Sequence, residues 1–243
     1  MKYFKIMLLF FFCSALLFAG VRVSAEEQRV NSDGIALGDN IVIASSLSRF
    51  ETVSRDSAVK IETDTGHGSG TYFKIEKKHV ILTAAHVIQG SEWVTVIGRD
   101  DEKIKAKPIF IDRDNDFAVL SLENTLKTRK FSSFKPSKEK IENTIGKKIF
   151  YTGFPNSHDL LTLRGSISGQ ESGFLILQSY AWSGASGSCV FDEWGNLVGV
   201  LTGVGVGSFS GEYHLIPAVV WIVPIQNIDI QMLKSVIKER AAL

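Results

Sequence analysis

Beyond its first 25 residues the chain is cut into short runs of β-branched and aromatic residues, each closed by a turn signal. That rhythm constrains the fold more than any other feature. Runs this short suit strands, and the sequence has 21 glycines but only 5 prolines. The first set of predicted strands comprises Ala58–Glu62, Gly70–Ile75, His79–Thr83, Trp93–Ile97, Lys103–Ile111 and Phe117–Leu122. The second comprises Lys148–Gly153, Leu160–Ser168, Phe174–Ser179, Ser188–Phe191, Leu197–Thr202 and Tyr213–Val223. Between them lies a polar, lysine-rich stretch expected to be a solvated linker. The predicted fold is all-β, with two six-stranded antiparallel β-barrels packed side by side. The first barrel spans about 58–124, the linker 125–146, and the second barrel with a terminal helix 147–243. Within Ile225–Arg240, apolar residues Ile228, Met232, Leu233, Val236 and Ile237 recur at helical spacing. That helix is expected to cap the second barrel. Residues 26–57 form an N-terminal segment in which Leu47–Val53 reads as helical. No internal repeat is visible.

The first 25 residues read as a signal peptide. Lys2 and Lys5 precede an apolar run from Ile6 to Ala19, and Val23-Ser24-Ala25 offers a small-x-small cleavage pattern. The run is short for a bilayer span, which needs about 20 residues. The expected product is secreted or periplasmic, with no stable membrane anchor after cleavage. Three of the 27 basic residues and none of the 26 acidic ones lie in this leader, so the remainder is slightly acidic. A nucleic-acid partner, which would call for a clustered basic excess, is not expected. Cys13 goes with the leader, leaving Cys189 alone. An intramolecular disulfide and a four-cysteine zinc site are therefore excluded.

Three local patterns carry chemistry. In Ser183-Gly184-Ala185-Ser186-Gly187-Ser188, glycines flank a serine in a predicted tight turn. Such a turn projects a hydroxyl and aims backbone N–H groups at a developing oxyanion, although a plain Gly/Ser hairpin reads the same way. In Val80-Ile81-Leu82-Thr83-Ala84-Ala85-His86, an apolar strand runs into a histidine. An imidazole, with an ordinary pKa near 6.5, can accept and return a proton at neutral pH. Activity depending on such a base should fall as pH drops through roughly 6–7. Third, Asp116 opens the run Asp116-Phe117-Ala118-Val119-Leu120 and can orient the imidazole; Asp112 and Asp114 are competing turn residues.

Taken together and in this order, these patterns resemble the trypsin-like (chymotrypsin-fold) serine proteases. The similarity is strongest to the disulfide-free bacterial branch that includes HtrA-type and glutamyl-endopeptidase-like enzymes. Thr83-Ala84-Ala85-His86 matches that family's histidine motif, Asp116-Phe117-Ala118-Val119-Leu120 its aspartate motif, and Gly184-Ala185-Ser186-Gly187-Ser188 its serine box. Gly66-His67-Gly68-Ser69-Gly70-Thr71-Tyr72-Phe73 looks like the hairpin ahead of the histidine strand. The resemblance implies a serine-type endopeptidase with His86, Asp116 and Ser186 as catalytic triad. It further implies an oxyanion hole from the N–H groups of Gly184 and Ser186, protein or peptide substrates, and no cofactor or metal. No PDZ domain is expected after the final strand.

Two departures matter. Ala185 stands where the family usually has Asn or Asp, leaving one fewer polar group to hold the oxyanion loop. Cys189 stands where proline is common and reads as a small buried apolar residue. By the same resemblance Tyr180 forms the floor of the substrate pocket, with Thr202, Gly203 and Val204 as a wall. That lining carries no acid, and Leu201 lies where glutamate-specific relatives place a histidine, so medium or small apolar P1 side chains are expected. His67 and His79 make only a weak case for a metal site. Two rival readings are a catalytically silent trypsin-like binding module and an unrelated exported β-sandwich.

Overall fold

The structure, a computed structural model, describes residues 47–241 apart from residue 157. The predicted signal peptide and most of the N-terminal segment lie outside the described residues.

Helix α1 (Arg49–Ser57) leads into β1 (Ala58–Thr63), β2 (Gly66–Ile75), β3 (Lys78–Thr83), β4 (Val94–Ile97), β5 (Lys103–Asp112) and β6 (Phe117–Leu122). These pair antiparallel in the ring order β1-β4-β5-β6-β3-β2, and β2 returns to β1 to close it. The second set is β8 (Lys148–Gly153), β9 (Leu161–Glu171), β10 (Phe174–Gln178), β11 (Cys189–Asp192), β12 (Leu197–Phe209) and β13 (Glu212–Pro224). It closes in the ring order β8-β11-β12-β13-β10-β9. Counted from its own first strand, each barrel follows the same path. The duplication is one of topology, without a repeat in the sequence. Closure leaves neither barrel with an open edge along its ring, and the β-sandwich reading falls with it.

The linker is more than solvated chain. Its Ser132–Ser133 forms the short strand β7 along β2. Pro136 bridges Leu197 of β12, while Leu126 and Arg129 are buried. The lysines advertise solvent, but interspersed Leu, Phe and Ser residues dock the backbone.

The two helices dock crosswise. Helix α1 precedes the first barrel yet ties onto the second. Buried Glu51 pairs with Arg164 of β9, and the Ser54 hydroxyl donates to Thr152 of β8 at 3.0 Å. Helix α2 (Ile230–Arg240) follows the second barrel and packs on β5 and β3 of the first. This corrects the expectation that it caps the second barrel. Its Leu233 and Ile237 enter a cluster shared with Phe73, Val80 and Phe117 of the first barrel and Phe150 and Phe191 of the second. Sequence spacing identifies the apolar face but carries no information about which barrel receives it. Fully burying each such side chain contributes about 1.5–3 kcal/mol. Asp229 caps α2, accepting from the N–H groups of Gln231 and Met232, both at 3.0 Å.

One strand pair exceeds its predicted length. β12 and β13 continue as a hairpin to Phe209 and Glu212, turning at Ser210–Gly211. The Gly203–Gly207 stretch lacks strand-like composition and is held extended by its partner strand.

Candidate active site

Each element contributing to the site ends at the seam between the barrels. β3 runs into a single 3₁₀ turn, Ala85–Ile88, which carries His86. Asp116 sits just before β6 at φ 46°, a conformation for which Asp is among the better-suited side chains. Its two competitors are engaged elsewhere or exposed. Asp112 accepts from both the backbone N–H and the side-chain amide of Asn115, closing the turn, and Asp114 points to solvent. The apolar residues after Asp116 enter the barrel core and draw that carboxylate inward.

His86 is held on Asp116 at two points. Its Nδ1 lies 2.7 Å from Oδ2, and its backbone N–H donates to Oδ1 at 2.8 Å. Because the carboxylate accepts at Nδ1, that nitrogen carries the proton and Nε2 is left as the acceptor. The imidazole is partly exposed while Asp116 is buried. A third group completes the carboxylate's shell, since the Thr202 hydroxyl donates to Oδ2 in a very short contact. Sequence reasoning places Thr202 on a pocket wall and does not reveal this bond from its hydroxyl to the carboxylate. The β12 register shift at Leu201/Gly203 lies there, a long-range pairing feature without a sequence signal.

Ser186 lies on the other side of Thr202. Its hydroxyl is directed at the Thr202 carbonyl oxygen, in a long contact of 3.5 Å. Among the described residues, no hydrogen bond joins Ser186 Oγ to the imidazole. The structure thus brings His86, Asp116 and Thr202 into direct contact and attaches Ser186 through the backbone of Thr202.

The loop around Ser186 shows a regular alternation. Four successive carbonyls are held: Ser183 by the Asn156 N–H, Gly184 by the Ser69 hydroxyl (2.7 Å), Ala185 by the Ser188 N–H (3.1 Å), and Ser186 by the Ser69 N–H (2.8 Å). The Ala185 N–H donates to Trp182 and that of Gly187 to Leu201. No described residue accepts from the N–H of Gly184 or Ser186, the two donors an oxyanion would need. Planar trans peptides make the arrangement rigid, because fixing a carbonyl fixes the N–H across the same bond. Gly184 and Gly187 are required here, at φ 92° and 88°. A side chain at Gly184 would overlap the Phe154 carbonyl and the His67 ring.

Of the predicted pocket residues, Tyr180 is 46% exposed, and its carbonyl accepts from the Tyr151 hydroxyl. Gly203 and Val204 are half-buried where β12 passes the serine loop. The two histidines considered for metal binding lie toward opposite ends of β2. His67 Nε2 is 3.3 Å from the Phe154 carbonyl, whereas His79, on β3 opposite Lys74, shares a 2.6 Å hydrogen bond with the Tyr72 hydroxyl through Nδ1. Burial, with a smaller contribution from Lys74, holds the His79 pKa below the usual imidazole range.

Two matched barrels thus carry a carboxylate–imidazole pair and a glycine-bounded serine loop at their seam. The trypsin-like peptidase domain family matches residues 68–200, and the chain belongs to that family. Among curated proteins it is similar to the chloroplastic Protease Do-like 1 of Arabidopsis thaliana, 31% identical over 68% of this chain and 40% of that protein. It is also similar to the serine protease Do-like HtrA of Bacillus subtilis, 30% identical over 66% of this chain and 38% of that protein. The chain spans well under half the length of these curated relatives. Among solved structures, the serine endoprotease from Yersinia pestis superposes with a TM-score of 0.58, covering 79% of this chain and 68% of that one. At 20% identity that likeness concerns the fold.

Proposed function

We propose that the chain is an exported serine endopeptidase in which Ser186 is the nucleophile, His86 the general base and acid, and Asp116 the group that orients His86. The observation that carries this reading is the two-point attachment of His86 to a buried carboxylate, with Nε2 left free to take a proton. Family membership supports it. The Ser186 hydroxyl faces the Thr202 carbonyl, and this reading requires it to leave that carbonyl for Nε2 when substrate binds. Catalytic hydrogen bonds commonly tighten only in the complex.

In the reaction Ser186 Oγ bonds to the peptide carbonyl carbon and its proton passes to Nε2 of His86. The carbonyl electrons move to oxygen, which the N–H groups of Gly184 and Ser186 receive. Collapse breaks the C–N bond, and His86 returns the proton to the leaving amine. Water then attacks the acyl ester, giving a proton to His86; the bond from the acyl carbon to Ser186 Oγ breaks, His86 returns the proton to Oγ, and the carboxylic acid product leaves.

The substrates are proteins or peptides. Tyr180, Gly203, Val204 and the backbone of Thr202 would line the P1 pocket, where the absence of a charged side chain favours small or medium apolar residues. A peptide library cleaved after charged residues would refute this. The lysine-led apolar leader at residues 1–25 supports export, and sequencing the N-terminus of the secreted product should begin at Glu26. Among the described residues no helix is long and apolar enough to cross a membrane.

The deciding experiment is labelling with a fluorophosphonate, which reacts with an activated serine. Wild type should label and Ser186→Ala should not. Failure of the folded wild type to label would assign the chain to the silent binding modules instead.

A further inference from the structure

Three of the four carbonyl attachments in the serine loop come from backbone N–H groups. The fourth comes from a side chain, the hydroxyl of Ser69, which sits in the middle of the loop's hydrogen-bonding pattern. Ser69 belongs to β2 of the first barrel and is fully buried. Its bonding capacity is spread across the seam. Oγ donates to the Gly184 carbonyl at 2.7 Å and accepts from the Phe154 N–H at 2.9 Å. Its backbone N–H donates to Ser186 at 2.8 Å, and its carbonyl accepts from the Thr83 hydroxyl at 2.8 Å. Thr83 lies three residues before His86. One residue of the first barrel therefore holds the serine loop of the second and is itself held by the strand that delivers the histidine.

Position 185 cannot share this work. Ala185 is fully buried, packed in the second barrel's apolar core, and has no polar atom in its side chain. We infer that Ser69 is the positioning residue of the oxyanion loop, its hydroxyl fixing the Gly184–Ala185 peptide so that the N–H groups of Gly184 and Ser186 stay unpaired. The inference rests on the serine-peptidase reading and extends it to a residue on the opposite barrel. Without the hydroxyl, the Gly184 carbonyl and the Phe154 N–H lose their partners inside the protein. A buried group so orphaned drives the backbone to rearrange, and here the peptide free to turn is the one between the two oxyanion donors.

The test compares the rate of fluorophosphonate labelling of Ser186 in wild type, Ser69→Ala and Ser69→Cys, with thermal melting and His86 imidazole NMR resonances recorded alongside. Loss of one oxyanion donor typically costs about a hundred- to a thousand-fold. A donor displaced but not removed should cost less, about ten- to a hundred-fold in Ser69→Ala. The His86 resonances should not change. Ser69→Cys keeps a weak donor in place and should fall between the other two. It also supplies the comparison if Ser69→Ala does not fold. Wild-type labelling rates in a folded Ser69 variant would overturn the inference and leave the peptidase reading intact. A folded wild type that does not label would overturn both. A slowed Ser69 variant whose His86 resonances have also moved would assign Ser69 to general packing of the seam and overturn the inference as well.

Discussion

His86 and Asp116 meet through two hydrogen bonds to two different carboxylate oxygens, one from the ring and one from the main chain. The main-chain bond fixes where the 3₁₀ turn lies, and the ring bond fixes which way the imidazole faces. Replacing Asp116 separates these roles. In Asp116→Asn the amide oxygen can still accept the His86 backbone N–H, so the turn should survive. The amide NH₂ then faces Nδ1 and favours the tautomer protonated at Nε2, which cannot accept a proton from serine. Fluorophosphonate labelling should fall by about 10³–10⁴-fold with an unchanged melting curve.

Thr202 joins the carboxylate to the serine, through its hydroxyl on one side and its carbonyl on the other. Only the hydroxyl can be removed by substitution. Thr202→Val should leave the backbone contact with Ser186 in place and take one donor from Asp116. A hydrogen bond to a charged group is worth about 1.5–3 kcal/mol, so labelling should slow by about tenfold or more. Thr202→Ser restores the donor and should return the rate to near wild type. Equal rates in the valine and serine variants would remove the hydroxyl from the mechanism.

The fold was legible in the sequence to the extent that its determinants are local. Strand runs, turn residues and the apolar face of α2 all show in short windows, and the structure has strands in every predicted place. What stayed hidden depends on partners distant in the chain. The Gly203–Gly207 stretch is a strand only because β13 pairs with it, and α2 chooses the first barrel by the shape of an apolar surface that both barrels share. The same division holds at the site. His86, Asp116 and Ser186 stand in distinctive local patterns, whereas Thr202 and Ser69 matter through bonds to residues 86 and 115 positions away. A small hydroxyl residue in a strand signals nothing until its partner is known.

Cys189 should be chemically silent in the native protein. It is fully buried, and that burial pushes its thiol up to about 12 despite an opposing hydrogen bond from Thr71. At about pH 8 only on the order of one molecule in ten thousand would carry the reactive thiolate. Iodoacetamide should leave the native protein unmodified over hours and, in guanidinium, alkylate one site per chain of a protein made without residues 1–25, as read by intact mass. Rapid native alkylation would mean that the core around β11 opens readily.

Asp56, at the end of α1, should give the protein part of its acid sensitivity. Burial alone would raise its pKa, but hydrogen bonds from Lys130 (3.2 Å) and Arg99 (2.6 Å) outweigh burial and hold it below the usual value near 3.8. A carboxyl whose folded pKa is depressed contributes stability above its unfolded pKa and loses it as pH falls through the folded one. Urea midpoints measured from about pH 6 down to pH 2 should therefore fall below about pH 4 in wild type. Asp56→Asn should start lower at pH 6 and decline less steeply, with the two curves converging at the acid end. Parallel curves across the whole range would show that the Asp56 cluster is too well solvated to couple folding to pH.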